Sequence, residues 1–212
     1  DRMGDGADQM DRDTDYANKM MFAAQGVRGL RTKAGTADFK TLIYFSSGYT
    51  SQQRAAIEAA GAQYASPGRT FPVTSSAELI SILNEPRFPG RSCERRTQRM
   101  DIYTHGLPDD LAFGYVDRVT STASQSFGSS EAAQLDPERF GNWTQPARIY
   151  SWGCRTAITR SGQVGGLAQD IANSTGAEVF AYARRTNFSQ TWNTGSATAE
   201  EAGLIEIDSG GS

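Results

Sequence analysis

Residues 147–154 read Ala147-Arg148-Ile149-Tyr150-Ser151-Trp152-Gly153-Cys154. Branched and aromatic side chains suit a pleated strand, and the glycine that follows them ends it. Farther on, Gly162 to Asn173 sets Val164, Leu167, Ala168 and Ile171 at helical spacing. Gly176 then closes that helix before a second strand-like run, Glu178 to Ala183. Strand, helix and strand in this order predict parallel neighbours joined by a helical crossover.

The same alternation extends upstream. Thr41-Leu42-Ile43-Tyr44-Phe45 is β-prone and is ended by Ser46-Ser47-Gly48, and a helix from Ser51 to Ala60 is closed by Gly61. Ser75 and Ser76 cap a helix through Leu79, Ile80 and Leu83, which Pro86 and Pro89 stop. Met100 to Thr104 reads as a strand ending in His105-Gly106-Leu107-Pro108, and Leu111 to Val116 as a short strand. The Ser/Thr/Gly-rich stretch from Thr120 to Ser130 reads as a loop before a helix near Glu131 to Leu135.

The fold expected is therefore α/β, a mostly parallel sheet with helices on both faces. Its strands lie near 41–46, 100–105, 147–153 and 178–183, and its helices include 51–60 and 164–173. Residues 1–38, with six aspartates in the first fifteen positions, read as a polar arm or short helical cap, 39–190 as the α/β domain and 191–212 as a tail.

Composition agrees with a folded chain: of 212 residues, 38% are hydrophobic and 21% charged, with 22 glycines for turns. The formal charge of −3 and the lack of an extended basic face give no reason to expect nucleic acid as the main partner. No run approaches the roughly 18 apolar residues of a membrane helix, so membrane insertion is not expected. The first residues lack the apolar centre of a signal peptide, although a signal removed earlier would leave no trace.

In open α/β sheets, functional groups gather beyond the carboxyl ends of the strands. His105, the single histidine, follows one strand, and Cys154 follows another, 49 residues later. If those strands are neighbours, imidazole and thiol face each other, and a cationic histidine would favour thiolate. Gly106, lacking Cβ, would let a carbonyl approach its N–H, which with the N–H of Cys154 would make an oxyanion hole. The plainer alternatives are a turn histidine and a small buried cysteine. A Cys93–Cys154 disulfide, the one bridge that two cysteines allow, would occupy the thiol.

Strand-His-Gly followed about 50 residues later by strand-Cys resembles the caspase-like cysteine peptidases, in which Arg, Gln or Gly follows the cysteine. Arg155 stands there in this chain. From Ile102 to Phe188 the pattern resembles more specifically a bacterial caspase-like domain at the N-terminus of giant repeat-bearing surface proteins. Its marks here are Thr104-His105-Gly106, Phe113-Gly114, Gly153-Cys154 and Thr175-Gly176-Ala177-Glu178-Val179. Trp152-Gly153 departs from the Gln-Ala that precedes a caspase cysteine.

The resemblance implies a three-layer caspase-like sandwich and a cysteine endopeptidase without metal or cofactor, acting on protein or peptide substrates. His105 would be the catalytic base or acid, Cys154 the nucleophile, and Gly106 with Cys154 the oxyanion hole. Arg184 and Arg185 would line a pocket for an acidic side chain. Self-processing, or secretion as a bacterial effector, would be its use. The alternative is a non-catalytic caspase-like module that binds a protein partner.

Three other groups of residues invite a reading. Arg87, Arg91, Arg95, Arg96 and Arg99 form a basic stretch, either a solvated loop or a processing site. Asp11, Asp13 and Asp15 start like a calcium loop, but Tyr16 and Phe22 stand where glycine and glutamate are needed. Ser121, Thr122, Glu200 and Glu201 only partly match an ADP-ribosyltransferase set, against which the βα alternation argues.

Overall fold

The computed structural model describes residues 20–32, 39–85, 96–113, 123–141, 144–184 and 204–207. It divides into two compact units, Asp1–Ser75 with Phe113–Gln125, and Ser76–Ala112 with Ser126–Ser212.

In the first unit, helix α1 (Met21–Thr32) precedes strand β1 (Leu42–Phe45), helix α2 (Ser51–Tyr64) and strand β2 (Thr70–Val73). The Thr50 side chain accepts from the Gln53 N–H at 3.2 Å, and the Gln53 side chain accepts from the Thr50 N–H at 2.8 Å. This reciprocal cap starts α2 without any acidic residue in its first turn. Leu42, Tyr44 and Ile57 form the core, against which Ala23, Val27 and Leu30 of α1 pack. Packing therefore begins before residue 39, since α1 has an apolar stripe that reaches the core. The parallel strand β2, paired with β1, is not legible in Thr70-Phe71-Pro72-Val73. Pro72 is tolerated because β2 is an edge strand, where a missing N–H breaks no inner ladder.

The second unit contains α3 (Ser76–Asn84), β3 (Arg99–Ile102), β4 (His105–Leu107), β5 (Asp110–Ala112), β6 (Ser126–Gly128) and α4 (Ser129–Ala132). Then come β7 (Arg148–Ser151), α5 (Gly166–Thr175), β8 (Glu178–Tyr182) and β9 (Leu204–Ile207). The main sheet has the order β3-β7-β8-β9, with the first three strands parallel and β9 antiparallel. β4, β5 and β6 make a separate antiparallel sheet. Ile149, Val179 and Ala181 are fully buried on one face of the main sheet, and α5 packs on β8 through Leu167, Ala168 and Ile171. Strand alternation turns Tyr150 and Phe180 to the opposite face, where their rings stack 4.8 Å apart.

Several expectations are corrected here. Strand 41–46 does not join one large sheet; β1 pairs with β2. Residues 126–128, read as loop, form a strand because Phe127 plugs the core at 4% exposure. Part of the expected tail is β9, paired with β8 from Tyr182–Leu204 to Val179–Ile207. Helix α5 begins at Gly166 rather than 164, and Val164 instead bridges Ile158 with its side chain exposed. Of the expected strand Leu111–Val116, residues 114–116 lie outside the described set. Within this unit α3 contacts α4, α4 contacts α5 and α5 packs on β8, so the coarse α/β class is what the structure carries. None of the described helices is long and apolar enough to cross a membrane.

Candidate functional site at the β3–β7 strand ends

β3 and β7 are adjacent and parallel, with Ile102 opposite Ser151. His105 and Cys154 each stand three residues beyond that last pair. The Trp152 N–H donates to Ile102 O at 3.0 Å, so the two chains leave the sheet still in register. His105 does not end β3 as expected but opens β4. Between them the buried Thr104 donates its hydroxyl to Ala112 O at 2.6 Å, which turns the chain from the main sheet into the β4–β5 hairpin.

Two glycines then let the chains touch. A Cβ on Gly106 would lie 2.3 Å from Cys154 O, 2.6 Å from Cys154 N and 2.6 Å from Gly153 C. A Cβ on Gly153 would lie 3.0 Å from Leu111 Cδ2 and 3.1 Å from Gly106 Cα. Real Cβ atoms do not approach backbone so closely, so His105-Gly106 and Gly153-Cys154 cross at a separation that requires glycine. The residues read from the sequence as a possible pair are therefore brought to one place by backbone contact.

The turn after Cys154 is firmly held. Arg155 takes a left-handed backbone with φ 60°, a conformation that costs a non-glycine residue on the order of 1–2 kcal/mol. Its N–H donates to Arg184 O at 3.2 Å, and the Ala157 N–H to Tyr182 O at 3.1 Å, which ties the turn to the end of β8. The Ser151 and Thr156 hydroxyls bond at 2.8 Å inside the turn. Below it, Trp152 is buried, donates Nε1–H to Asp101 Oδ1 at 3.0 Å, and stacks with Tyr103 at 5.8 Å.

Burial pushes the His105 imidazole down to about 4, so it is neutral near pH 7. The cationic histidine expected from the sequence is not favoured here, because burial disfavours the charged ring. Cys154 is half-buried and forms no disulfide among the described residues. A neutral imidazole suits the role of base that takes the thiol proton during attack, rather than one that has already done so.

The other candidates separate. Arg184 is exposed and joins the site through its carbonyl; Arg185 and Cys93 lie outside the described residues. Arg99 pairs with Asp101 at 2.7 Å and covers the Tyr150 ring at 4.1 Å, a structural use that removes it from the basic stretch. Arg87, Arg91 and Arg95, the three aspartates from Asp11 to Asp15, and Ser121, Thr122, Glu200 and Glu201 all lie outside the described residues. Thr104, Leu111 and Gly153 shape the site without having been singled out as chemistry; the signal available was their adjacency to the His-Gly and Gly-Cys pairs.

Fold and site together define an α/β protein with a histidine and a cysteine set at the ends of paired parallel strands. No family model, no curated protein and no solved structure matches the chain.

Proposed function

We propose that this protein is a cysteine endopeptidase with a caspase-like arrangement, using His105 and Cys154. The observation that carries the reading is the glycine-on-glycine crossing of Gly106 against Gly153-Cys154, three residues past register partners of adjacent strands. Shared strand ends and a strained residue directly after the cysteine support it, since functional sites hold backbone in unfavourable regions where the surroundings over-determine it.

In the mechanism proposed, Cys154 Sγ attacks the scissile carbonyl while its proton passes to the neutral His105 ring. The N–H groups of Gly106 and Cys154 receive the developing oxyanion. The His105 imidazolium then protonates the leaving amine, and the C–N bond breaks to leave a thioester. Water, deprotonated by His105, adds to the thioester; the C–S bond breaks, the acid is released and the thiol regains its proton. Arg184 and Arg185 serve as substrate contacts for an acidic side chain in the same reading.

Intact-mass labelling with a thiol-reactive peptide-like inhibitor tests it. Wild type should gain one adduct and cleave protein substrates, Cys154→Ala should do neither, and His105→Ala should slow both by at least about 10²-fold, the lower end for general acid–base catalysis. A native Cys154 that resists labelling, together with no cleavage in a broad proteomic screen, would overturn the peptidase and favour a partner-binding module.

A further inference from the structure

The turn that carries Cys154 is built around two buried hydroxyls. Ser151 ends β7 and Thr156 follows in the turn, each 1% exposed, with their side-chain oxygens 2.8 Å apart. Thr156 Oγ1 also donates to the Gly153 carbonyl at 3.3 Å. A hydroxyl has one proton to give, so both contacts are met when Ser151 donates to Thr156 and Thr156 donates to Gly153. The two bonds form a relay that ends on the peptide unit joining Gly153 to Cys154.

That relay has little room to move. Ser151 shares the β7 face of Ile149, and the Thr156 carbonyl accepts from the Ala168 N–H of α5 at 3.0 Å. The next residue is tied as well, by the Ala157 N–H to Tyr182 O at 3.1 Å. Gly106 closes on the same Gly153–Cys154 unit, since a Cβ there would fall 2.6 Å from both Gly153 C and Cys154 N. The unit is thus bonded through its oxygen and packed against through its atoms.

The peptide bond is trans, and in a trans unit the C=O and the N–H point in opposite directions. Drawing the Gly153 oxygen toward Thr156 therefore turns the Cys154 N–H away from it. Rotating the unit the other way would leave a buried carbonyl and a buried hydroxyl without their bond, which is unfavourable.

We propose that Thr156, backed by Ser151, is a positioning residue for the oxyanion hole, aiming the Cys154 N–H at the substrate oxygen by holding the Gly153 carbonyl. A donor of this kind works because it is fixed before the charge develops. With Ser151 occupying its lone pair, the Thr156 hydroxyl keeps its proton on Gly153. The purpose rests on the peptidase reading; the orientation of the peptide unit does not.

Thr156→Val keeps the shape of the side chain and removes the relay, whereas Thr156→Ser keeps the hydroxyl. On a Cys93→Ser background, isotope-labelled cysteine gives one amide signal, that of Cys154, because the chain has two cysteines. Resonance couples the two halves of a peptide unit, so this NMR signal senses the bond on the Gly153 carbonyl. Thr156→Val should move it and Thr156→Ser should return it toward wild type. In the same pair, Thr156→Val should lower kcat by about tenfold or more, short of the roughly 10²–10³-fold that deleting an oxyanion donor costs. KM and the rate of Cys154 alkylation by iodoacetamide should stay near wild type, because alkylation builds no oxyanion. If Thr156→Val does not fold, Ser151→Ala in the full chain takes its place, with smaller changes in the same direction. An unmoved Cys154 amide, a kcat that Thr156→Ser does not restore, or alkylation that changes in step with kcat overturns the proposal. The amide signal needs no turnover, so a moved signal in a protein that cleaves nothing sinks the peptidase alone, and cleavage with an unmoved signal sinks the relay alone.

Discussion

At the residue scale the site depends on what Gly106 and Gly153 lack. Gly106→Ala would force a methyl to within 2.3 Å of Cys154 O, and the obstacle is backbone that cannot rotate away. The expected result is a loss of about 1–3 kcal/mol, as for overpacking elsewhere, with Cys154 alkylation altered even where the protein folds. Urea unfolding and iodoacetamide kinetics would check it; full stability and unchanged kinetics would contradict the crossing. His105 supplies a second test. Its pKa falls from 6.5 unfolded to about 4 folded, so the unfolded chain binds more protons between those values. Its contribution is fully present above pH 6.5 and is lost as pH falls toward 4, a total of about 3 kcal/mol. Asp110, whose pKa is raised, pulls the other way, stabilising at low pH and losing that effect as pH rises through its folded value. The difference between wild type and His105→Gln in urea unfolding across pH 4–7 isolates the histidine, and equal slopes would contradict its burial.

At the element scale, the strands that present the site were legible and their partners were not. Arg148–Ser151 and Glu178–Tyr182 announce themselves by continuous β-prone side chains, as parallel strands buried on one or both faces must. Helix α5 is marked by Gly176, whose φ of 67° ends it, whereas Gly61, read as closing α2 after Ala60, lies inside a helix that runs on to Tyr64. Three-residue strands carry no periodicity, so β4 and β6 emerge only from tertiary pairing, and Ser126-Phe127-Gly128 looks like loop until Phe127 is seen buried. The same limit hid β2, where Pro72 argues against a strand unless its edge position is known. His105 and Cys154 could be named because glycine punctuates both turns.

At the scale of the whole molecule, the division into two units predicts how damage should spread. Ile57 is 1% exposed within the cluster of Leu42 and Tyr44, whereas Ile149 is fully buried beneath the main sheet, in the strand that leads to Cys154. Truncating either to alanine leaves a cavity and should cost about 2–5 kcal/mol locally. Contacts within each unit are what hold it, so the openings caused by these two changes should differ in place more than in size. Ile57→Ala should raise amide exchange across 42–73 while leaving 148–151 and 178–182 protected and the Cys154 alkylation rate near wild type. Ile149→Ala should do the reverse, exposing Cys154 as β7 loosens from β3 and β8. Hydrogen-exchange mass spectrometry with peptides from both units reads the two patterns side by side. Uniform exchange across the chain in either variant would mean that the units open as one, and that the site's rigidity draws on the first unit as much as on the sheet that bears it.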